Sequence, residues 1–390
     1  MASQDRHPQE RHPLSPRLDH CPEGLPRAAY LDHDWYQREM ATIFARQWVM
    51  VGRALDFPAG KMRRVAVGEA SVIVVRDGEG TLAAWHNSCP HRGSELCREA
   101  EEPVGKLIRC PYHAFAYAAS DGRLVSTAHA VPTDDFDRSA HGLRPVSHRV
   151  WNGFLFLNLA EGPGDIWSDV GLTTLDNWPM DDLITGHHWE VDIACNWKAF
   201  WENYSECLHC PGIHPELCDL VPVYAKGIMG PSEALGWVPD SAPDGAKAKS
   251  NLRAGAQTWT TDGQPCGPVF PGLSDEELRV GYSFATLWPS AYVVAHPDYV
   301  RAVRIVPLGP ERTKLIAEWH FPRETLAQPG FDAEKVAAFA KIVIEQDGAA
   351  SEMNHRGMRS PAFKAARLMP EEYEIHRFHQ WVLAEMEGSP

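Results

Sequence analysis

Cys89-Pro90-His91-Arg92-Gly93 and, after an interval, Cys110-Pro111-Tyr112-His113-Ala114-Phe115 are the stretches on which the reading of this 390-residue chain turns. Each follows a short strand-like run, and each offers one thiolate and one imidazole. Eighteen residues, 92 through 109, separate His91 from Cys110. Around them, from about Arg63 to Leu159, short runs rich in β-branched residues recur (Ser71–Val75, Leu107–Arg109, Phe154–Leu157). They are punctuated by the turn signals Asp77-Gly78-Glu79-Gly80 and Asp121-Gly122. That texture predicts a small antiparallel β domain of roughly 110 residues whose hairpin tips carry the Cys and His residues.

Two metal centres could use such a set. Zinc takes Cys₂His₂ tetrahedrally. A Rieske [2Fe–2S] centre takes both Cys on one iron and both His on the other. Zinc fingers usually group like with like, whereas here each loop mixes the two types, which suits a two-iron cluster held between two hairpin tips. The bland alternative is two unrelated Cys and His pairs in β loops. Cys97, between the loops, reads as an inert thiol.

A second constellation lies in Asn196-Trp197-Lys198-Ala199-Phe200-Trp201-Glu202-Asn203-Tyr204-Ser205-Glu206-Cys207-Leu208-His209-Cys210-Pro211-Gly212-Ile213-His214. The recurrence of Trp197, Phe200, Trp201, Tyr204 and Leu208 predicts a helix near residues 196–210 with one apolar face. On it Glu202, Glu206 and His209 would share a second stripe, and Pro211-Gly212 would end it. His214 follows close behind. Two histidines with one carboxylate make the facial triad of non-haem Fe(II) oxygenases. The carboxylate is sought on the helix expected from about Asp332 to Met358. There Asp347 continues the apolar series Val336, Phe339, Ala340, Val343 and Ile344, and a carboxylate on a buried stripe must be paired or bind a metal. Taken singly, each of these residues could equally be an ordinary hydrogen-bonding side chain. The Cys207-x-x-Cys210 pair is expected as thiols lining the same site.

Composition narrows the setting. Thirty-seven Lys+Arg against 52 Asp+Glu leave a net charge of −15, which argues against nucleic acid or an anionic membrane as the main partner. The polar N-terminus has no apolar signal core and no run approaches a membrane span, so a cytoplasmic location is expected, with reduced thiols. Residues 1–24 read as mobile, Leu31–Val51 as helical, and 222–271 as loop-rich. Strands are expected at Tyr282–Leu287, Ala291–Ala295, Tyr299–Pro307 and Lys314–Phe321, with the long helix across them. The fold class is α+β.

From Leu25-Pro26-Arg27-Ala28 to the C-terminal helix, the chain resembles the catalytic α subunits of Rieske non-haem iron ring-hydroxylating oxygenases. The Cys89/His91/Cys110/His113 loops, the segment Glu202 to Pro215 and Gln346-Asp347 carry the resemblance. It implies a Rieske domain (51–160), a helix-grip, START-like catalytic domain (161–390) and an N-terminal segment (1–50) packed on the latter. It implies a [2Fe–2S] cluster on Cys89, His91, Cys110 and His113, and one Fe(II) on His209, His214 and Asp347. Glu206 would bridge the two centres across a subunit boundary, from His113 of one chain to His209 of the next, in a homotrimer. With no Gly-x-Gly-x-x-Gly nucleotide loop in the sequence, NAD(P)H electrons would come through a separate reductase or ferredoxin. The Glu-Cys-x-His-Cys form resembles the branch of glycine betaine, carnitine and stachydrine oxygenases, which act on quaternary ammonium groups. An aromatic-ring or aromatic-acid dioxygenase is the alternative substrate class, and a Rieske electron carrier or a zinc-organised binding protein the alternatives of another kind.

Overall fold

A computed structural model of the chain describes residues 12–164, 172–238 and 251–388. Residues 1–11 of the segment expected to be mobile, and 239–250 of the loop-rich middle, lie outside the described residues. The rest of that N-terminal segment is tied down. Arg17 pairs with Glu371, and strand Glu23–Pro26 pairs antiparallel with Ala365–Arg367. The expected helix over Leu31–Val51 is shorter than its periodicity suggests. Asp32 caps a helix over His33–Glu39 through the Trp35 N–H, a wider turn over Met40–Phe44 closes it, and Val49–Arg53 is already a strand. Trp48 continues the helical spacing of Met40, Ile43 and Phe44, yet it lies just before that strand and packs with Met50, Phe154 and Phe156, so the sheet buries it as well as a helix would.

The β region holds three small antiparallel sheets. At the centre of one, Ala70–Arg76 pairs with both Lys61–Val67 and Leu82–His86, and its β-branched run Val72–Val75 is buried on both faces. Leu107–Arg109 pairs with Ala116–Ala118, so the Cys110 loop is a hairpin tip, as expected, whereas the Cys89 loop is not: it crosses from Leu82–His86 at one edge of its sheet to Glu101–Pro103 at the other.

The second region is built on a five-stranded antiparallel sheet in the order Ile184–Ile193, Arg312–Phe321, Val300–Gly309, Ala291–Ala295, Ser283–Leu287. Four of these strands were legible in the sequence. The fifth, Ile184–Ile193, was not, since an edge strand with one paired side reads as His, Glu and Asp rather than as an apolar run. Period-2 alternation divides the sheet into two unlike faces. Ala285, Val293, Val300 and Ala302 pack with Trp48, Met50, Phe154 and Phe156 from the β region. Tyr292, Val294, Val303 and Trp319 join the core that the long helix Ala333–Met358 closes, with Val336, Phe339, Ala340, Val343 and Ile344 buried. Asp332 caps that helix by accepting from the Glu334 and Lys335 N–H groups. No described helix is long and apolar enough to cross a membrane.

Candidate metal centres

The two Cys loops have one backbone design. The Gly93 N–H donates to the Cys89 carbonyl at 2.8 Å, and the Ala114 N–H to that of Cys110 at 3.1 Å. Both closing residues sit at positive φ, +76° for Gly93 and +58° for Ala114. Glycine does this freely, whereas alanine does so at a steric cost. The two thiols are buried and within hydrogen-bonding reach of each other, and the Tyr117 hydroxyl lies 3.0 Å from Cys89 Sγ. Burial pushes the Cys89 thiol up. For Cys110 burial acts the same way, but the N–H groups of Tyr112 and His113 contribute to an outweighing effect and hold it below its ordinary value. The imidazoles of His91 and His113 stand 4.8 Å apart between ring centres, His91 stacked on Phe115 and His113 against Tyr112. Two inner sulfurs and two outer imidazoles, converging from two loops, are the donor chemistry of a Rieske cluster.

Around the second constellation the structure corrects the local reading. The helix runs only from Trp197 to Tyr204, capped by Asn196. Glu206 sits beyond it, its carboxylate accepting from the backbone N–H groups of Leu208 and His209, and a new short helix covers Cys210–Ile213. Pro211 therefore opens that helix rather than ending the first, which its missing N–H permits in a first turn. The expected Glu202, Glu206, His209 stripe does not form. Glu202 instead accepts from Tyr30 Oη (2.5 Å) and lies 2.9 Å from His379 Nε2. Nor are Cys207 and Cys210 thiols: the turn brings their Cα atoms to 4.9 Å and the sulfurs are joined as a disulfide.

The three expected ligand side chains do meet. His209 Nε2 and His214 Nε2 are 3.1 Å apart, and Asp347 Oδ1 lies 2.8 Å from the latter and 3.4 Å from the former. Donors bound at roughly 2.1 Å to one first-row ion and set about 90° apart stand about 3 Å from one another, so this triangle fits a single ion with positions to spare. Cys210 also offers an atom within 4.8 Å of both imidazoles, but its sulfur is 3.9 Å from His209 Nε2, farther than the carboxylate of Asp347, the expected third donor. Each imidazole is oriented from behind. Glu206 Oε1 is 2.6 Å from His209 Nδ1, and Gln346 Oε1 is 2.8 Å from His214 Nδ1, so the Nδ1–H groups donate outward and both Nε2 lone pairs face the triangle. Burial opposes charge on His209, but Asp347 and Glu206 outweigh it and lift its pKa to about 9. Burial would likewise raise Asp347, yet the two histidines hold it below the usual carboxylate range. The site is set up to receive positive charge.

Above the triangle opens a cavity of about 460 Å³. Tyr204, Trp259, Phe284 and Tyr292 form a continuous aromatic wall: Tyr204 stacks on Tyr292 at 4.1 Å between centroids, and Phe284 lies 6.5 Å from Tyr204 and 6.1 Å from Trp259. Arg301 also lines it. The sequence placed Tyr204 only on an apolar helix face and Gln346 only in the resemblance, and gave Trp259, Phe284, Tyr292 and Arg301 no role. Alternation alone places Phe284, Tyr292 and Arg301 on sheet faces, and only the pairing of three strands and the crossing helix turns one face into a cavity wall. Among the described residues, no hydrogen bond, ion pair or ring contact joins the Cys89/His113 loops to Glu206 or His209 of the same chain.

Comparison with known proteins agrees with this arrangement. Residues 47–137 match the family described as Rieske [2Fe-2S] domain, and residues 180–388 the family described as ring hydroxylating alpha subunit (catalytic domain). The chain is 32% identical over 366 residues to the glycine betaine monooxygenase oxygenase subunit of Chromohalobacter salexigens, spanning 87% of this chain and 80% of that protein. It is 26% identical over 369 residues to the chloroplastic choline monooxygenase of Beta vulgaris, spanning 92% and 76%. The fold superimposes on the quaternary ammonium Rieske monooxygenase CntA with a TM-score of 0.71 over 96% of this chain and 99% of that one, at 18% identity. A carrier of Rieske type would have no use for the second half of this chain, and over that half, as over the first, the chain belongs to the Rieske non-haem iron ring-hydroxylating oxygenases: it is a catalytic α subunit, an oxidoreductase whose cofactors are a [2Fe–2S] cluster and a mononuclear iron.

Proposed function

We propose that the chain is the terminal oxygenase of a multicomponent system that hydroxylates or oxidatively demethylates a small quaternary ammonium compound of betaine type. The observation that carries this is the His209/His214/Asp347 triangle lying in a cavity with an aromatic wall. Tyr204, Trp259, Phe284 and Tyr292 offer ring faces to a cation that cannot itself donate a hydrogen bond. The names of the relatives favour the same class.

Cys89, His91, Cys110 and His113 hold the cluster in this reading, and His209, His214 and Asp347 hold the iron. When bound, the cluster supplies one-electron transfer and the iron supplies reductive activation of O₂. The chain's own residues do the rest. Glu206 and Gln346 retain the Nδ1 protons and fix both rings. Asp347 offsets the positive charge of the centre. The aromatic wall displaces water and orients the ammonium methyl groups. Electrons from NAD(P)H enter through a separate reductase or ferredoxin. Glu206 links the partner chain's cluster to this chain's iron within a cytoplasmic homotrimer, a reading consistent with the lack of an intrachain contact among the described residues. The division into segments 1–50, 51–160 and 161–390 belongs to the same proposal.

Iron analysis tests the ligand assignment. The oxygenase contains three iron atoms per chain, two with acid-labile sulfide and one without. Asp347→Ala lowers that to two with an unchanged cluster absorption spectrum, and substrate-dependent O₂ uptake disappears. A variant that kept its third iron would remove Asp347 from the set.

A further inference from the structure

Two arginines are buried among the described residues, and the fold treats them differently. Arg53 donates to the carbonyls of Asn152, Met180 and Leu183 at 2.7–2.9 Å. Arg301, 4% exposed, has no partner for Nε or Nη1, and among the described residues no carboxylate lies within ion-pair distance of it. It sits on the central strand of the five-stranded sheet, opposite Val294 and Trp319, and its side chain lines the cavity. A buried, unpaired guanidinium is costly, because its hydration is lost and nothing replaces it. The carboxylates that line the same cavity are engaged elsewhere: Asp347 with His209 and His214, Glu206 with His209, and Glu374 with Arg377. Of the charged side chains that line the cavity, Arg301 is the one without a counter-charge among the described residues.

We propose that Arg301 is the carboxylate-binding subsite of this cavity, so that the substrate is a zwitterion with a carboxylate at one end and the quaternary ammonium at the other. This rests on the quaternary ammonium reading above and narrows it: betaines and amino-acid betaines are accepted, and amino alcohols such as choline are not. A guanidinium N–H donates a charge-assisted hydrogen bond to a carboxylate. The stacked Tyr204–Tyr292 pair lies within electrostatic reach of both Arg301 and Asp347. A zwitterion held across that pair turns its anionic end to Arg301 and its cationic end towards the carboxylates of the iron site. A one-ended cation would leave the arginine buried and unpaired.

The test is titration calorimetry of the holoenzyme with glycine betaine, carnitine, glycine betaine methyl ester, choline and benzoate, on wild type, Arg301→Gln and Arg301→Lys, each checked for both kinds of iron. The expected result is that wild type binds the betaines on the order of 100-fold tighter than the ester or choline. Arg301→Gln brings the betaines to the level of the ester and leaves the ester unchanged, and Arg301→Lys retains part of the difference. The ester comparison in wild type decides the matter even if a variant does not fold. Equal binding of betaine, ester and choline, or betaine binding that survives Arg301→Gln, overturns the subsite while leaving the quaternary ammonium reading intact. Binding of benzoate alone, abolished by Arg301→Gln, supports the subsite and overturns that reading. A wild type that binds no carboxylate of the panel overturns the subsite.

Discussion

Glu206 shows how one side chain can serve two ends of a protein's chemistry. Its two oxygens take the Leu208 and His209 N–H groups and the His209 ring. The carboxylate thus shapes the turn that follows the first helix and also fixes the tautomer of His209, the proposed iron ligand. Glu206→Gln preserves the shape and one acceptor but removes the charge. Both metals should stay bound, and the rate at which a reduced cluster is reoxidised in a single turnover with substrate and O₂ should fall roughly 10- to 100-fold or more. Loss of the mononuclear iron in that variant would mean that Glu206 acts mainly as a support for the ligand. Gln346 is the neutral counterpart behind His214, itself steadied by Glu216.

At the scale of elements, the five-stranded sheet separates a catalytic face from a joining face, and the joining face is where pH acts. His320, on strand Arg312–Phe321, is fully buried beside Thr185 and Phe154. Burial, reinforced by Arg53 and Arg304 against the pull of Glu318, lowers its pKa to about 3. The folded protein holds it neutral, whereas the unfolded chain protonates it near pH 6.5. A depressed histidine therefore costs nothing above pH 6.5, and stability is lost as pH falls from there towards 3. Glu318, two residues earlier, adds a lower window. Burial would raise it, but His188 and Arg304 outweigh that and hold it at about 2, so its contribution is lost as pH falls below about 4.5 towards 2. The thermal midpoint should decline in two stages on acidification, and His320→Gln should flatten the upper one. A pH profile of the variant parallel to that of wild type would exclude His320 as its source.

Across the whole molecule, the N-terminal segment is bound to the catalytic region by polar contacts buried in the core. Lys198, on the helix that leads to the iron site, and Glu39, on the segment before the β region, pair at 2.6 Å with both side chains fully buried. Glu39 also accepts from the indoles of Trp35 and Trp197. Removing one partner strands the other's charge, at a cost of about 3–5 kcal/mol. Lys198→Met should lower the thermal midpoint markedly, and Glu39→Gln added to it should recover much of the loss. Failure of the double variant to recover would show that Lys198 matters through its packing on Tyr30 and Trp197 rather than through its charge.

The candidate ligands of both centres, which the fold brings together, were legible in the sequence because metal chemistry restricts residue types at short spacing. Cys89 with His91, Cys110 with His113, and His209 with His214 are each pairs within five residues. Asp347 was legible because a carboxylate on an apolar helical stripe needs a reason to be there. The long helix and four strands of the large sheet followed from periodicity alone. The break after Tyr204 did not, since it depends on a carboxylate outcompeting the helix for backbone N–H groups. The aromatic wall and the solitary Arg301 were out of reach for a different reason. Their meaning lies in register: Phe284, Val294, Arg301 and Trp319 form one row only once four strands are paired. A charge that looks like any surface arginine in one dimension becomes a buried, unsatisfied donor only when the sheet and the long helix have closed over it.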